Sequence, residues 1–182
     1  MVGFFARRDP RLHDASLASR MVTIIDEAVV KAPPQLCFRV AADVEQWPRL
    51  LPHYRWVRFQ ERAQFGTGRV EMAAWRDFGG PLRWPTWWMS QMHVDEAEPA
   101  IYFRHVRGIT RGMDVKWAFL THSAGTHIRL THAWDGPPWP GIGRIAWRGV
   151  IAPYFVSAIA RRTLAGIGRE AERISSLEEA AS

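Results

Sequence analysis

The chain has 182 residues, 47% hydrophobic and 23% charged, a size and balance that fit one soluble globular domain with its own core. Its net charge of +6 is carried by Arg, with Lys only at Lys31 and Lys116, and no basic run exceeds the pairs Arg7-Arg8 and Arg161-Arg162, so nucleic acid is not the expected partner. A single cysteine, Cys37, excludes an intrachain disulfide and a cysteine zinc cage, and no apolar stretch is long enough to span a bilayer.

Residues 1–20 read as a loosely ordered, Arg-rich N-terminal extension, with Asp9-Pro10 as a turn signal. Apolar Met1 to Phe5 precede Arg7-Arg8, the reverse of a signal peptide's order, so the cytoplasm is the expected location. The β-branched run at 21–31 predicts a first strand, stopped by Pro33-Pro34. A short helix is expected at 34–41, with Cys37 as a buried, inert thiol beside Leu36 and Phe38. Asp43 and Gln46 sit at capping-box spacing and predict a second short helix, ended by Pro52.

Six further strands are expected at 54–61, 68–77, 84–95, 100–107, 112–121 and 126–135. Gly66-Thr67-Gly68, Gly79-Gly80-Pro81, Glu98-Pro99, Gly108 and Ser123-Ala124-Gly125 separate them, and such short spacers imply an antiparallel meander. Met113, Val115, Trp117 and Phe119 alternate with Asp114 and Lys116. Ile128, Leu130, His132 and Trp134 alternate with His127, Arg129 and Thr131. One dry and one wet face is the mark of an antiparallel sheet covered on one side. Gly136 to Gly141 form a stiff break, and a helical pattern starts at about Ile142. Beyond Pro153, the positions Val156, Ile159 or Ala160, Thr163 or Leu164, Ile167, Ala171 and Ile174 define the apolar face of a long amphipathic helix. The whole is an α+β arrangement in one domain at 21–180, a sheet wrapped around a helix, which leaves room for a cavity between them.

The residues Ala32-Pro33, Phe38 to Pro48, Trp117-Ala118-Phe119, Thr126-His127-Ile128 to His132 and Tyr154-Phe155-Val156, in this order of elements, carry a resemblance. Over about residues 21–178 the chain resembles the polyketide cyclase/dehydrase branch of the START-like superfamily, which includes the birch-pollen-allergen proteins. The resemblance implies a helix-grip fold: a seven-stranded curved antiparallel sheet around a long C-terminal helix, with two short helices after strand 1. It also implies a hydrophobic, aromatic or polyketide-like ligand, either cyclised and dehydrated as by aromatase/cyclases or carried unchanged, as lipids and quinones are. Relatives associated with ribosomes make an RNA-binding role the alternative of another class. Such cyclases place a pocket arginine a few residues past a tryptophan on the strand after the large turn. Met92 stands there in this chain, with Arg76 or Arg83 as replacements.

Ten Trp, most of them between Trp75 and Trp147, fit either a large aromatic core or a flat-walled pocket. The concave face is expected to carry Val70, Met72, Ala74 and Arg76, then Ile101, Phe103 and His105, then Trp117, Phe119, Leu130, His132 and Trp134. Strand 84–95 adds either Trp88, Ser90 and Met92 or Trp87, Met89, Gln91 and His93. Tyr54 is placed at the cavity mouth and Phe155 on the final helix. The expected ligand-binding set is therefore Tyr54, Met72, Trp88, Met92, Phe103, Trp117, Phe119, Trp134 and Phe155. Cyclisation needs proton transfer and a donor to an enolate oxygen; His132 and His105 suit the first and Arg76 the second. The plainer alternatives are cavity histidines with structural partners, and an Arg76 that faces solvent or pairs with Asp77 or Glu71. Asp26 is expected to be paired or near the open edge of the first strand, and His53, His122 and His127 at the surface. There is no phosphate-binding glycine loop and no His-Glu-x-x-His, so no cofactor or metal is expected, and the chain is expected to be a monomer or homodimer.

Overall fold

A computed structural model of the chain describes residues 22–77, 83–136 and 156–181. The expected N-terminal extension, the Gly79-Gly80-Pro81 turn, the break after Gly136, the helical start at Ile142, Pro153 and Phe155 lie outside these residues.

Seven strands form one sheet: β1 (Val22–Val30), β2 (Tyr54–Arg62), β3 (Gly68–Asp77), β4 (Arg83–Asp95), β5 (Ala100–Gly108), β6 (Asp114–His122) and β7 (Gly125–Trp134). Their order is β1-β7-β6-β5-β4-β3-β2, and every neighbouring pair is antiparallel. Three helices lie among the described residues: α1 (Pro34–Ala42), α2 (Trp47–Leu50) and the long C-terminal α3 (Ser157–Ala180). This is the helix-grip arrangement. The described connections from β2 onward are short, while β1 pairs with β7, from Val30 with Thr126 to Val22 with Trp134.

Local chemistry sets each boundary. Pro33 stands at the N-cap of α1 and Pro34 opens its first turn, where a missing N–H costs nothing. Thr126 Oγ1 on β7 donates to the Ala32 carbonyl at 2.6 Å, satisfying a group that β1 can no longer pair. The capping box at Asp43 does not form: Asp43 is the C-cap of α1, with its N–H on the Arg39 carbonyl and no side-chain cap bond. A single 3-10 turn, Val44–Gln46, then leads into α2. Cys37 is fully buried, and burial pushes its thiol pKa up.

Alternation fixes the faces. On β4, Thr86, Trp88, Ser90, Met92 and Val94 are buried while Trp87, Gln91 and His93 are exposed, which decides between the two sequence alternatives. Trp47 from α2 enters the concave side, its ring 5.1 Å from Tyr54, 5.8 Å from Trp117 and 6.4 Å from Phe103. The aromatic residues are thus core and wall together. α3 lies across the same side with Ala160, Leu164, Ile167 and Ala171 buried. Its glycines allow the close approach: a Cβ at Gly166 would stand 2.0 Å from Leu51 Cδ2, and one at Gly168 would stand 3.0 Å from Val30 Cγ2.

Candidate functional site

Between the concave sheet and the first turns of α3 lies a cavity of about 80 Å³. On a scale where one water takes roughly 10–15 Å³, it has room for several. Trp47, Tyr54, Met72, Trp88, Phe103, Val115, Trp117 and Leu130 supply most of its wall, and Val156, Ile159, Ala160 and Thr163 close it from α3. Ile109, 47% exposed at the β5–β6 turn, stands at the mouth. None of the described lining residues is Asp, Glu, Lys or Arg.

The polar groups in this wall are few. His105 Nδ1 is 2.6 Å from Thr110 Oγ1, a contact made possible by the tight turn at Gly108–Gly112. The Trp88 ring stacks on the His105 ring at 6.0 Å. Burial, with the His132 and Arg104 charges adding to it, drives the His105 pKa down to about 3; burial alone drives His132 down to about 4. Both imidazoles are therefore neutral at pH 7. Burial raises the Tyr54 phenol well above its usual range, against the opposing pull of its hydrogen bond with Thr163. Thr163 Oγ1 donates in turn to the Ile159 carbonyl at 2.8 Å. Two buried atoms in the wall have no partner among the described residues: Trp47 Nε1, a donor, and His132 Nδ1.

Of the residues expected at the site, Tyr54, Met72, Trp88, Phe103, Trp117, His105 and His132 line this one cavity. Met92, Phe119 and Trp134 are buried but are not among its lining residues, and Phe155 is outside the described residues. Arg76 is only 3% exposed, and burial lowers its pKa to about 10, so it stays charged at neutral pH; it is not a lining residue either. Asp26 points inward, accepting from Ser157 Oγ and Arg161 Nε at 3.1 Å each. Among the described residues no cluster of His, Cys, Asp or Glu could hold a metal ion, and no helix is long and apolar enough to cross a membrane.

Residues 30–151 match the profile of a family described as polyketide cyclase / dehydrase and lipid transport. The chain belongs to this family. No curated protein matches the chain. Solved structures share the fold of this polyketide cyclase/dehydrase domain. TTHA0849 from Thermus thermophilus is 19% identical with a TM-score of 0.70, over 85% of this chain and 99% of that one. The ZhuI aromatase/cyclase from Streptomyces sp. R1128 is 24% identical with a TM-score of 0.63, over 84% and 94%. A START superfamily protein from Mycobacterium smegmatis is 15% identical with a TM-score of 0.54, over 86% and 97%.

Three participants in the cyclase-family cavity escape a reading of the sequence. Trp47 reads only as part of the Phe38 to Pro48 stretch that carries the resemblance, Thr110 falls after the Gly108 turn signal, and Thr163 is one of two candidates for the helix's apolar face. His53, expected at the surface, is instead 9% exposed, with Nε2 3.0 Å from Thr163 Oγ1. Pro52 marks a loop, and nothing local signals a partner 110 residues away.

Proposed function

We propose that this chain binds an uncharged, hydrophobic, ring-containing molecule that carries a carbonyl or hydroxyl oxygen, a class that includes polyketide-like and quinone-like compounds. The observation that carries this reading is the wall itself. It is apolar, its described lining residues carry no charge, and it holds two buried polar atoms with no partner among the described residues, Trp47 Nε1 and His132 Nδ1. A buried donor left unpaired costs about 1–3 kcal/mol, which a ligand acceptor would recover. A carboxylate or phosphate would have to shed its water in a wall with no counter-charge, so fatty acids and other anions are disfavoured there.

Cyclisation or dehydration of such a ligand is the second reading, favoured by one feature. A neutral imidazole in an apolar site can polarise a carbonyl by hydrogen bonding, and His132 and His105 are both neutral at pH 7. His132 would face the ligand oxygen, and His105, held by Thr110, would act only as a neutral hydrogen-bonding group, since with a pKa of about 3 it is too weak a base to take a proton at pH 7. Arg76, not being a lining residue, enters only as a charge behind the wall. The test is calorimetric titration with a bicyclic ketone such as tetralone against its hydrocarbon tetralin. Tighter binding of the ketone is expected, and the preference should shrink in His132→Phe. Equal binding of the two compounds, or tighter binding of tetralin's carboxylate analogue, would overturn the reading. Loss of turnover with retained binding in His132→Asn would separate an enzyme from a carrier.

A further inference from the structure

A second hollow, about 310 Å³, lies on the outer side of the contact between α3 and the loop before β2. Its chemistry is the reverse of the inner cavity's. Arg162 and Arg169, seven residues apart on α3, project from one helix face with the small Ala165 between them. Arg83 reaches in from the first residue of β4, and Trp75 from the outward face of β3. His53 and Leu51 complete the floor, and no described lining residue is acidic. Arg55 stacks on the Trp75 ring at 4.6 Å, placing a fourth guanidinium beside the hollow.

We propose that this arginine-walled cleft is a second binding site, which takes an organic anion: a phosphate or carboxylate borne on a flat apolar body. Each guanidinium offers five N–H donors, so one engaged in a contact within the protein still has donors for a ligand. Their planar forks match phosphate and carboxylate oxygens two at a time. Three of them facing one hollow whose described lining holds no carboxylate give a field that favours negative charge. The Trp75 ring, with Arg55 over one face, supplies apolar surface beside the guanidinium groups for the ligand's body. The cleft's volume falls at the lower end of the roughly 300–1,000 Å³ usual for small-molecule sites. It is separate from the neutral cavity but adjoins it, since His53 in its floor and Tyr54 in the cavity wall meet on Thr163.

The experiment is calorimetric titration of the whole chain with 1-naphthyl phosphate, 1-naphthoate and 1-naphthol. Both anions are expected to bind, more weakly as salt rises, and the better of the two identifies the head group. The Arg162→Gln/Arg169→Gln double variant should weaken anion binding about tenfold or more, since hydrogen bonds to charged groups are worth roughly 1.5–3 kcal/mol each. It should leave the melting temperature and 1-naphthol binding unchanged. Arg83→Gln, at a strand end, should weaken the anions independently. His132→Phe, which fills the inner cavity, should leave them bound. Failure of both anions to bind, or their loss in His132→Phe with retention in the arginine variants, overturns the proposal. Neither result depends on whether the inner cavity prefers ketones.

Discussion

The Trp88 indole and the His105 imidazole lie nearly parallel, 23° apart with centroids 6.0 Å apart, on neighbouring strands β4 and β5. The indole and the rest of the wall exclude water from an ionisable ring, and the cost appears as acid sensitivity. An unfolded histidine titrates near 6.5, whereas folded His105 and His132 titrate at about 3 and about 4. The unfolded chain therefore binds more protons than the folded one below pH 6.5. Stability is fully present above that pH and falls as pH drops toward the folded values, by about 1.4 kcal/mol per pH unit for each imidazole. Urea unfolding at pH 7 and pH 5 measures the fall, and His132→Asn should make it shallower. An unchanged slope in that variant would falsify the assignment.

Trp47→Phe removes one N–H and keeps most of the ring that packs on Tyr54 and Trp117. If Trp47 Nε1 donates to the ligand, ketone affinity should fall about fivefold, the equivalent of one neutral hydrogen bond, while hydrocarbon affinity stays the same. The variant should also lose none of its stability through hydrogen bonding, because the donor has no protein partner among the described residues. Paired titrations with tetralone and tetralin read both effects at once.

The strands and the long helix are readable from the chain because their periodicities are the physical cause of burial. Leu130, His132 and Trp134 alternate with Thr131 and Ala133, and the fold buries that face. A repeat of two or of 3.6 says which face turns inward but not how deep each residue lies or what meets it there. Met92 and Met72 share an inward-facing pattern, yet only Met72 reaches the cavity. Arg76 follows its strand's inward period without reaching the cavity. The Trp47–Tyr54–Trp117 cluster joins three elements, and the His53–Thr163 bond spans 110 residues; tertiary packing alone creates both. The Asp43–Gln46 box does not form: Asp43 stands at the junction, C-cap of α1 and N-cap of the 3-10 turn, and its side chain caps neither.

Gly166 should resist replacement although it lies in the middle of a helix. Alanine there would gain about 1 kcal/mol in helix propensity. Its Cβ, however, would stand 2.0 Å from Leu51 Cδ2, and Leu51 is 1% exposed with packed neighbours. Overpacking of this kind costs about 1–3 kcal/mol, so Gly166→Ala is expected to lower stability on balance. Adding Leu51→Ala should recover part of that loss relative to the sum of the single changes, a coupling that a double-mutant cycle measures. Strict additivity would mean that the helix does not press on Leu51.

The N-terminal turn of α3 is tied to the edge strand through Asp26, and the tie is unequal. The carboxylate is buried, at 3% side-chain exposure, while Arg161 is 77% exposed. Removing Arg161 leaves Asp26 buried with the Ser157 hydroxyl still donating to it. Removing Asp26 leaves an arginine that water already solvates. Arg161→Ala should therefore destabilise through the charge it abandons. Because the guanidinium is screened, the effect should be about 1–2 kcal/mol, below the 3–5 kcal/mol of a fully buried pair. Asp26→Asn keeps the shape and a hydrogen-bonding group for Ser157, and in that background Arg161→Ala should cost almost nothing. Denaturant midpoints for the two single variants and the double variant decide the matter: an Arg161→Ala penalty that persists with Asn at position 26 would show that the arginine stabilises α3 by packing and not by its charge.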